Sequence, residues 1–212
     1  MIKKINEDIE HYEIDYNIGF PEDRTRRHHW RIYEYVRDNF IKKDDNITDL
    51  GCGSGFGLRV LNEKVDGGLV GVDYSIAAIN YAKKYNFDEK SIFILDDLNN
   101  YIKKPLYKTK IVLMIESLEH TKNPKEVVEI IFKEFLSKLF IATFPVHKEG
   151  HPLQEGHHQH EFTVSRIKNV FKDFNYKIKY FYFDGLNLLE VDESYPDNPK
   201  DFPATGMVII EK

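Results

Sequence analysis

Apolar residues in this chain fall alternately into short unbroken runs and wider-spaced stripes. The runs at 47–50, 69–73, 91–95, 111–115 and 139–144 are rich in branched and aromatic residues, which predicts buried β-strands. Between them the spacing lengthens to three and four, the period of a helix with one buried face. Trp30, Tyr33, Val36 and Phe40 predict a helix over 22–40, and Val127, Val128, Ile131 and Phe135 another over 124–136, opened by Pro124. Further helices are predicted near 56–64, over 75–85 with Ser75 as cap, and near 163–173. A strand near 176–183 and a closing strand at 207–210 complete the series, with Pro145 ending the fifth strand. The acidic, proline-containing stretch 184–203 reads as a surface excursion.

Strands that are apolar throughout and separated by helices imply a sheet covered on both faces. The expected fold is therefore α/β: a doubly wound, mostly parallel, seven-stranded sheet in a single domain. Residues 1–45 form an N-terminal arm and helix, expected to act as a lid over cofactor or substrate, and residues 46–212 form the main domain.

Composition narrows the function. The 212 residues are 42% hydrophobic and 31% charged, the balance of a globule with a sizeable core. A net charge of −5 argues against a dedicated nucleic-acid binder, which needs clustered Lys and Arg. The single Cys52 excludes an internal disulfide and a multi-cysteine zinc site. With no apolar run long enough for a signal peptide or a membrane span, the expected location is cytoplasmic and reducing, as a monomer or homodimer.

The most informative segment is Asp49-Leu50-Gly51-Cys52-Gly53-Ser54-Gly55-Phe56-Gly57, directly after the first strand. Alternate glycines let the backbone turn sharply and approach a ligand. Asp73 ends the second strand, where a carboxylate can accept both hydroxyls of a ribose. The dinucleotide fingerprint needs a glycine at offset five, and here that position is Phe56 or Leu58. A nucleoside cofactor without a pyrophosphate suits the loop better.

From about residue 46 to 175 the chain resembles the class I S-adenosylmethionine-dependent methyltransferases. The resemblance implies that Asp49, Gly51, Gly53 and Gly55 lie at the methionine end of the cofactor, that Asp73 takes the ribose, and that Tyr74 packs on the adenine. In Phe93-Ile94-Leu95-Asp96-Asp97-Leu98 it implies that Asp97, with Leu98, meets the adenine amino group. Glu116, after the fourth strand, would face cofactor and substrate. The implied donor is S-adenosylmethionine and the released product S-adenosylhomocysteine.

Glu116-Ser117-Leu118-Glu119-His120 and His160, before Phe162, resemble the metal-binding segments of small-RNA 2′-O-methyltransferases, where a divalent cation grips two ribose hydroxyls. A similar Glu-x-x-Glu-His segment occurs in ubiquinone-pathway, small-molecule and sugar O-methyltransferases. Three readings stay open. Glu116, Glu119, His120 and His160 (or His157) would hold a metal that lowers the pKa of an acceptor hydroxyl. Without metal, His120 or His160 would act as general base beside Glu119. Or these residues simply start the next helix.

Arg24, Arg26, Arg27 and Arg31 are four of the seven arginines, and the resemblance suggests that one of them, Arg24 or Arg27, pairs with a carboxylate or phosphate in the pocket. Tyr12 and Tyr16 are candidates for the same wall. The usual basic-Pro-Gly-Gly turn before the fifth strand is missing, and Thr143-Phe144-Pro145-Val146 replaces the common Thr-Pro-Asn. The acceptor side is thus remodelled. The expected reaction is O-methylation of a small hydroxylated metabolite or sugar derivative. The alternatives are an RNA 2′-O-methyltransferase and a non-catalytic cofactor-binding partner protein.

Overall fold

The computed structural model describes residues 24–86, 88–135, 138–150, 159–192, 194 and 204–212, with the side chains of 24–27 left out of the description. Helix α1 (Arg24–Phe40) is followed by β1 (Ile47–Leu50), α2 (Phe56–Asn62), β2 (Leu69–Asp73) and α3 (Ile76–Tyr81), which runs on as a π-helical turn at Ala82–Asn86. Then come β3 (Ser91–Leu95), the short α4 (Leu98–Tyr101), β4 (Ile111–Ile115), a 3₁₀ turn at Leu118–His120, and α5 (Pro124–Ile130) with a π-helical turn at Ile131–Phe135. The chain closes with β5 (Leu139–His147), β6 (Phe162–Thr163), α6 (Val164–Phe171), β7 (Tyr176–Phe183), β8 (Leu188–Val191) and β9 (Ala204–Glu211).

The strands form one sheet in the order β3-β2-β1-β4-β5-β9-β7-β8, with β6 beside β5. The first five are parallel to their neighbours, as expected of strands joined through helices. β9 runs antiparallel between β5 and β7, and β7 pairs antiparallel with β8.

Alternation along the strands builds two cores. In β4, Val112 and Met114 pack with Val127, Val128 and Phe135 on one face. Ile111, Leu113 and Ile115 pack with Ile32, Val36, Leu58 and Leu61 on the other. At roughly 1.5–3 kcal/mol for each large apolar side chain buried, these two layers dominate the stability of the domain.

The doubly wound fold is as expected, but among the described residues the sheet has nine strands and not seven. β6 has only two residues, and β8 lies inside the stretch read as an excursion, with both of its middle residues exposed. Neither carries the unbroken apolar run that marks a buried strand. β5 also continues through Pro145 to His147. Its pairing with β4 ends at Thr143, so beyond that point a residue without an N–H is tolerated, and β9 continues opposite from Thr205 and Ala204. The carboxyl ends of β1, β2, β4 and β5 meet along one edge, where α/β sheets bind their ligands.

Candidate active site

The loop after β1 is shaped by its glycines. Gly51, Gly53 and Gly55 have φ values of 82°, 53° and 79°, which side-chain-bearing residues rarely adopt. At Gly51 a Cβ would stand 2.6 Å from the Ser117 Cβ, and at Gly55 2.5 Å from the Phe93 ring. At Gly53 it would meet nothing within 4 Å, so this peptide borders open space. Gly51 and Cys52 donate their N–H groups to the Val72 carbonyl at 2.8 and 3.1 Å, tying the loop to the end of β2. The Asn86 side chain donates to the Ser54 carbonyl at 2.8 Å and secures it from the far side.

Asp73 completes the turn. Its Oδ2 accepts from Gly53 N at 2.9 Å and its Oδ1 from Ser75 N at 2.8 Å. Burial pushes this carboxyl up, while backbone hydrogen bonds and the nearby His120 imidazole pull it back down. Each oxygen keeps lone-pair capacity, so a carboxylate held in this way can also accept from a diol. Asp49, wholly buried one strand away, accepts from the Tyr33 hydroxyl at 2.7 Å through Oδ2, and its Oδ1 has no hydrogen-bond partner among the described residues. Burial lifts this carboxyl to about 7, the Tyr33 bond opposing. Helical spacing places Tyr33 in the core but carries no signal for the partner of its hydroxyl.

Tyr74 is 77% exposed beside this edge. Asp97 is exposed and caps α4 through Asn99 N at 2.8 Å, with Leu98 half-buried behind it.

Across the edge lies a second group. Glu116 has a positive φ of 50°, and its N–H bonds to the Thr143 carbonyl at 3.0 Å. Its sheltered Oε1 has no partner among the described residues, and burial lifts the carboxyl to about 7 against an opposing hydrogen bond with Thr143. Glu119 is 1% exposed, and its Oε2 likewise has no partner among the described residues. Burial, with the like charges of Glu116 and Glu161, holds its carboxyl well above the usual range. His120 is exposed, with Nε2 4.0 Å from Glu119 Oε1. The Glu119 carbonyl accepts from Gln159 N and His160 N at 2.9 and 3.0 Å, and this clasp brings the 159–161 segment onto the turn after β4. There Glu161 Oε2 lies 2.6 Å from Nε2 of His147, both residues being buried. The histidine-rich stretch marks this neighbourhood in the sequence, but nothing in it singles out the Glu161–His147 pair.

The expected metal set is not assembled among the described residues. His160 Nε2 lies 3.1 Å from the Lys122 carbonyl, engaged away from Glu119. Among the described residues no three His, Cys, Asp or Glu side chains are placed to hold a metal ion. His157, Tyr12, Tyr16 and the side chains of Arg24, Arg26 and Arg27 lie outside the described residues. Arg31 is engaged on α1 and β8's approach: it pairs with Glu34 at 2.6 Å and donates to the Leu186 carbonyl at 3.1 Å. Two histidines absent from the sequence expectations, His28 and His29, are held down to about 3 and 4, mainly by burial. His28 Nε2 is 2.7 Å from Thr205 Oγ1, linking α1 to β9.

Residues 41–175 match the family model described as a methyltransferase domain. The chain belongs to this family. The fold is that of the class I S-adenosylmethionine-dependent methyltransferases. One similar structure is a chain of the complex between the Haloferax volcanii Trm112 methyltransferase activator and the putative methyltransferase, at 18% identity and a TM-score of 0.65, covering 87% of this chain and 90% of that one. Another is the plantazolicin methyltransferase BpumL in complex with SAH, at 18% identity and a TM-score of 0.61, covering 99% and 90%. A third is DhpI with SAH, at 14% identity and a TM-score of 0.64, covering 96% and 93%. No curated protein sequence matches the chain. No described helix of this methyltransferase is long and apolar enough to cross a membrane.

Proposed function

We propose that this methyltransferase moves the methyl group of S-adenosylmethionine to a hydroxyl of a small metabolite or sugar derivative. When bound, the donor supplies an electrophilic methyl on a sulfonium. The chain's own contribution is to hold that donor and to bring an oxygen in line with it. In this reading Asp73 accepts the ribose hydroxyls, and the Gly51–Gly55 backbone with Asp49 Oδ1 receives the methionine end. Tyr74, Asp97 and Leu98 border the adenine, and α1 walls the pocket through Tyr33. Glu116 stands between donor and acceptor.

One observation carries the acceptor side: His120 lies within electrostatic reach of both Asp73 and Glu119. It is thus the imidazole that joins the donor loop to the buried carboxyls. As the acceptor oxygen forms its bond to the methyl carbon and the sulfur–carbon bond breaks, His120 takes the hydroxyl proton, with Glu119 behind it. An imidazole titrates near the working pH and is suited to that task. His160, whose Nε2 faces the Lys122 carbonyl, serves better as a clasp on the turn than as the base. The RNA alternative needs a four-residue metal set that is not assembled among the described residues, and the net charge of −5 also weighs against it.

The test is methyl transfer from labelled S-adenosylmethionine into a fractionated metabolite extract, with mass spectrometry of the product. Label in a hydroxyl-bearing small molecule, lost in His120→Ala, is the expected outcome. Label entering RNA alone, or undiminished transfer by His120→Ala, overturns the reading.

A further inference from the structure

Gly57 stands inside α2 without a left-handed φ, so the backbone conformation does not demand a glycine there. A glycine also weakens a helix relative to alanine. What requires it is space. A Cβ at Gly57 would overlap the ring of Tyr33, which lies against α2 at that point. The Tyr33 side chain is buried, and Phe56 meets its ring edge-on with centroids 5.4 Å apart. Trp30, also on α1, stacks on the same Phe56 at 6.5 Å. A missing side chain and a pair of aromatics thus fix where this ring can sit.

A ring that only filled the core would need no hydroxyl in that slot. The hydroxyl of Tyr33 ends 2.7 Å from Asp49 Oδ2, at the carboxyl end of β1 and just before the glycine loop. A phenol that donates to a carboxylate sets the rotation of the carboxyl and favours its charged form. With Oδ2 engaged, Oδ1 is the oxygen left for a ligand, and it has no hydrogen-bond partner among the described residues. Burial, and after it the like charge of Asp73, push this carboxyl toward the neutral form, and the Tyr33 bond opposes them. A neutral carboxyl would be a weaker acceptor for a cation.

We infer that Tyr33 is a positioning residue for the methyl donor: seated in the notch at Gly57, its hydroxyl holds Asp49 turned so that Oδ1 receives the ammonium of the donor's amino-acid end. The role deepens the donor reading given above and rests on it. Tyr33 acts through Asp49 and not on the reacting atoms.

Two ligands separate this role from simple packing: S-adenosylhomocysteine, and 5′-methylthioadenosine, which keeps the adenosine and the thioether but lacks the amino-acid tail. Calorimetry on the full chain reads both. Tyr33→Phe keeps the ring and removes the hydroxyl. It should bind S-adenosylhomocysteine about tenfold more weakly, equivalent to about 1.4 kcal/mol, with 5′-methylthioadenosine affinity unchanged. The pH at which S-adenosylhomocysteine affinity rises should also move upward in the variant, because the charged form of Asp49 has lost its donor. Gly57→Ala, which displaces the ring, should reproduce the selective loss. Equal losses for the two ligands overturn the inference, as does undiminished S-adenosylhomocysteine binding by Tyr33→Phe. Should Tyr33→Phe fail to fold, Gly57→Ala decides with the same pair of ligands. A wild-type chain that takes up neither ligand overturns the donor reading and this inference together, whereas equal losses leave the donor reading standing.

Discussion

The two halves of the sheet edge solve opposite problems. On the donor half, Asp73 is met by backbone N–H groups of Gly53 and Ser75, and the glycine loop is sewn to Val72. On the acceptor half, Glu116 and Glu119 each keep a sheltered oxygen that no other described residue meets. The first is a cradle finished by the main chain, whose shape depends on where side chains are absent. The second is built of side chains that remain at odds with one another until something joins them. A cofactor shared by many enzymes suits a backbone cradle, and an individual acceptor suits adjustable side chains.

The sharpest way to break this contrast is at Gly51. Valine there combines a left-handed φ with a contact to Ser117 far inside van der Waals distance, at a cost of about 3 kcal/mol or more. S-adenosylhomocysteine binding measured by calorimetry should vanish, with a lower melting temperature. Asp73→Ala should weaken the same binding by about 2 kcal/mol through lost hydrogen bonds to a charged group, while amide hydrogen exchange at Gln159 and His160 still shows the clasp on the Glu119 carbonyl in place. If both properties fell together, the halves would not be independent.

A pH titration sharpens the comparison further. Asp49 and Glu116 are lifted to about 7 by burial, so the native state holds protons that the unfolded chain releases near pH 4. Their contribution to stability is complete below that lower value and is lost as pH rises through about 7. Thermal melts should therefore show the ligand-free protein losing stability between pH 5 and pH 8, with Asp49→Asn flattening the slope. Tyr33→Phe removes one buried hydrogen bond and should cost about 1 kcal/mol in chemical denaturation. Asp97→Ala, which removes the cap of the four-residue α4, should be the mildest, at about 0.5–1 kcal/mol.

The donor half was legible because its chemistry is local. Gly51, Gly53, Gly55 and Asp73 announce themselves by spacing within one strand-loop-helix-strand unit, and the five parallel strands by their unbroken apolar runs. The acceptor half is assembled by tertiary contacts that leave no periodic trace. The clasp between the Glu119 carbonyl and residues 159 and 160 decides that Glu161 turns inward, and it sends His160 toward Lys122. A run of histidines suggests ligands, but side-chain direction comes from the fold. β8 escaped notice for a related reason: its inner residues face solvent, so it lacks the hydrophobic signature that betrayed its neighbours.

The hydroxyl that caps Asp49 belongs to a helix lying upstream of the span shared with the family, which starts at residue 41. A fragment trimmed to that span would keep every glycine of the cradle yet strip a buried acid of the one hydrogen-bond donor that reaches it from the described residues. Engineers who graft the shared module elsewhere should carry Tyr33 along with it.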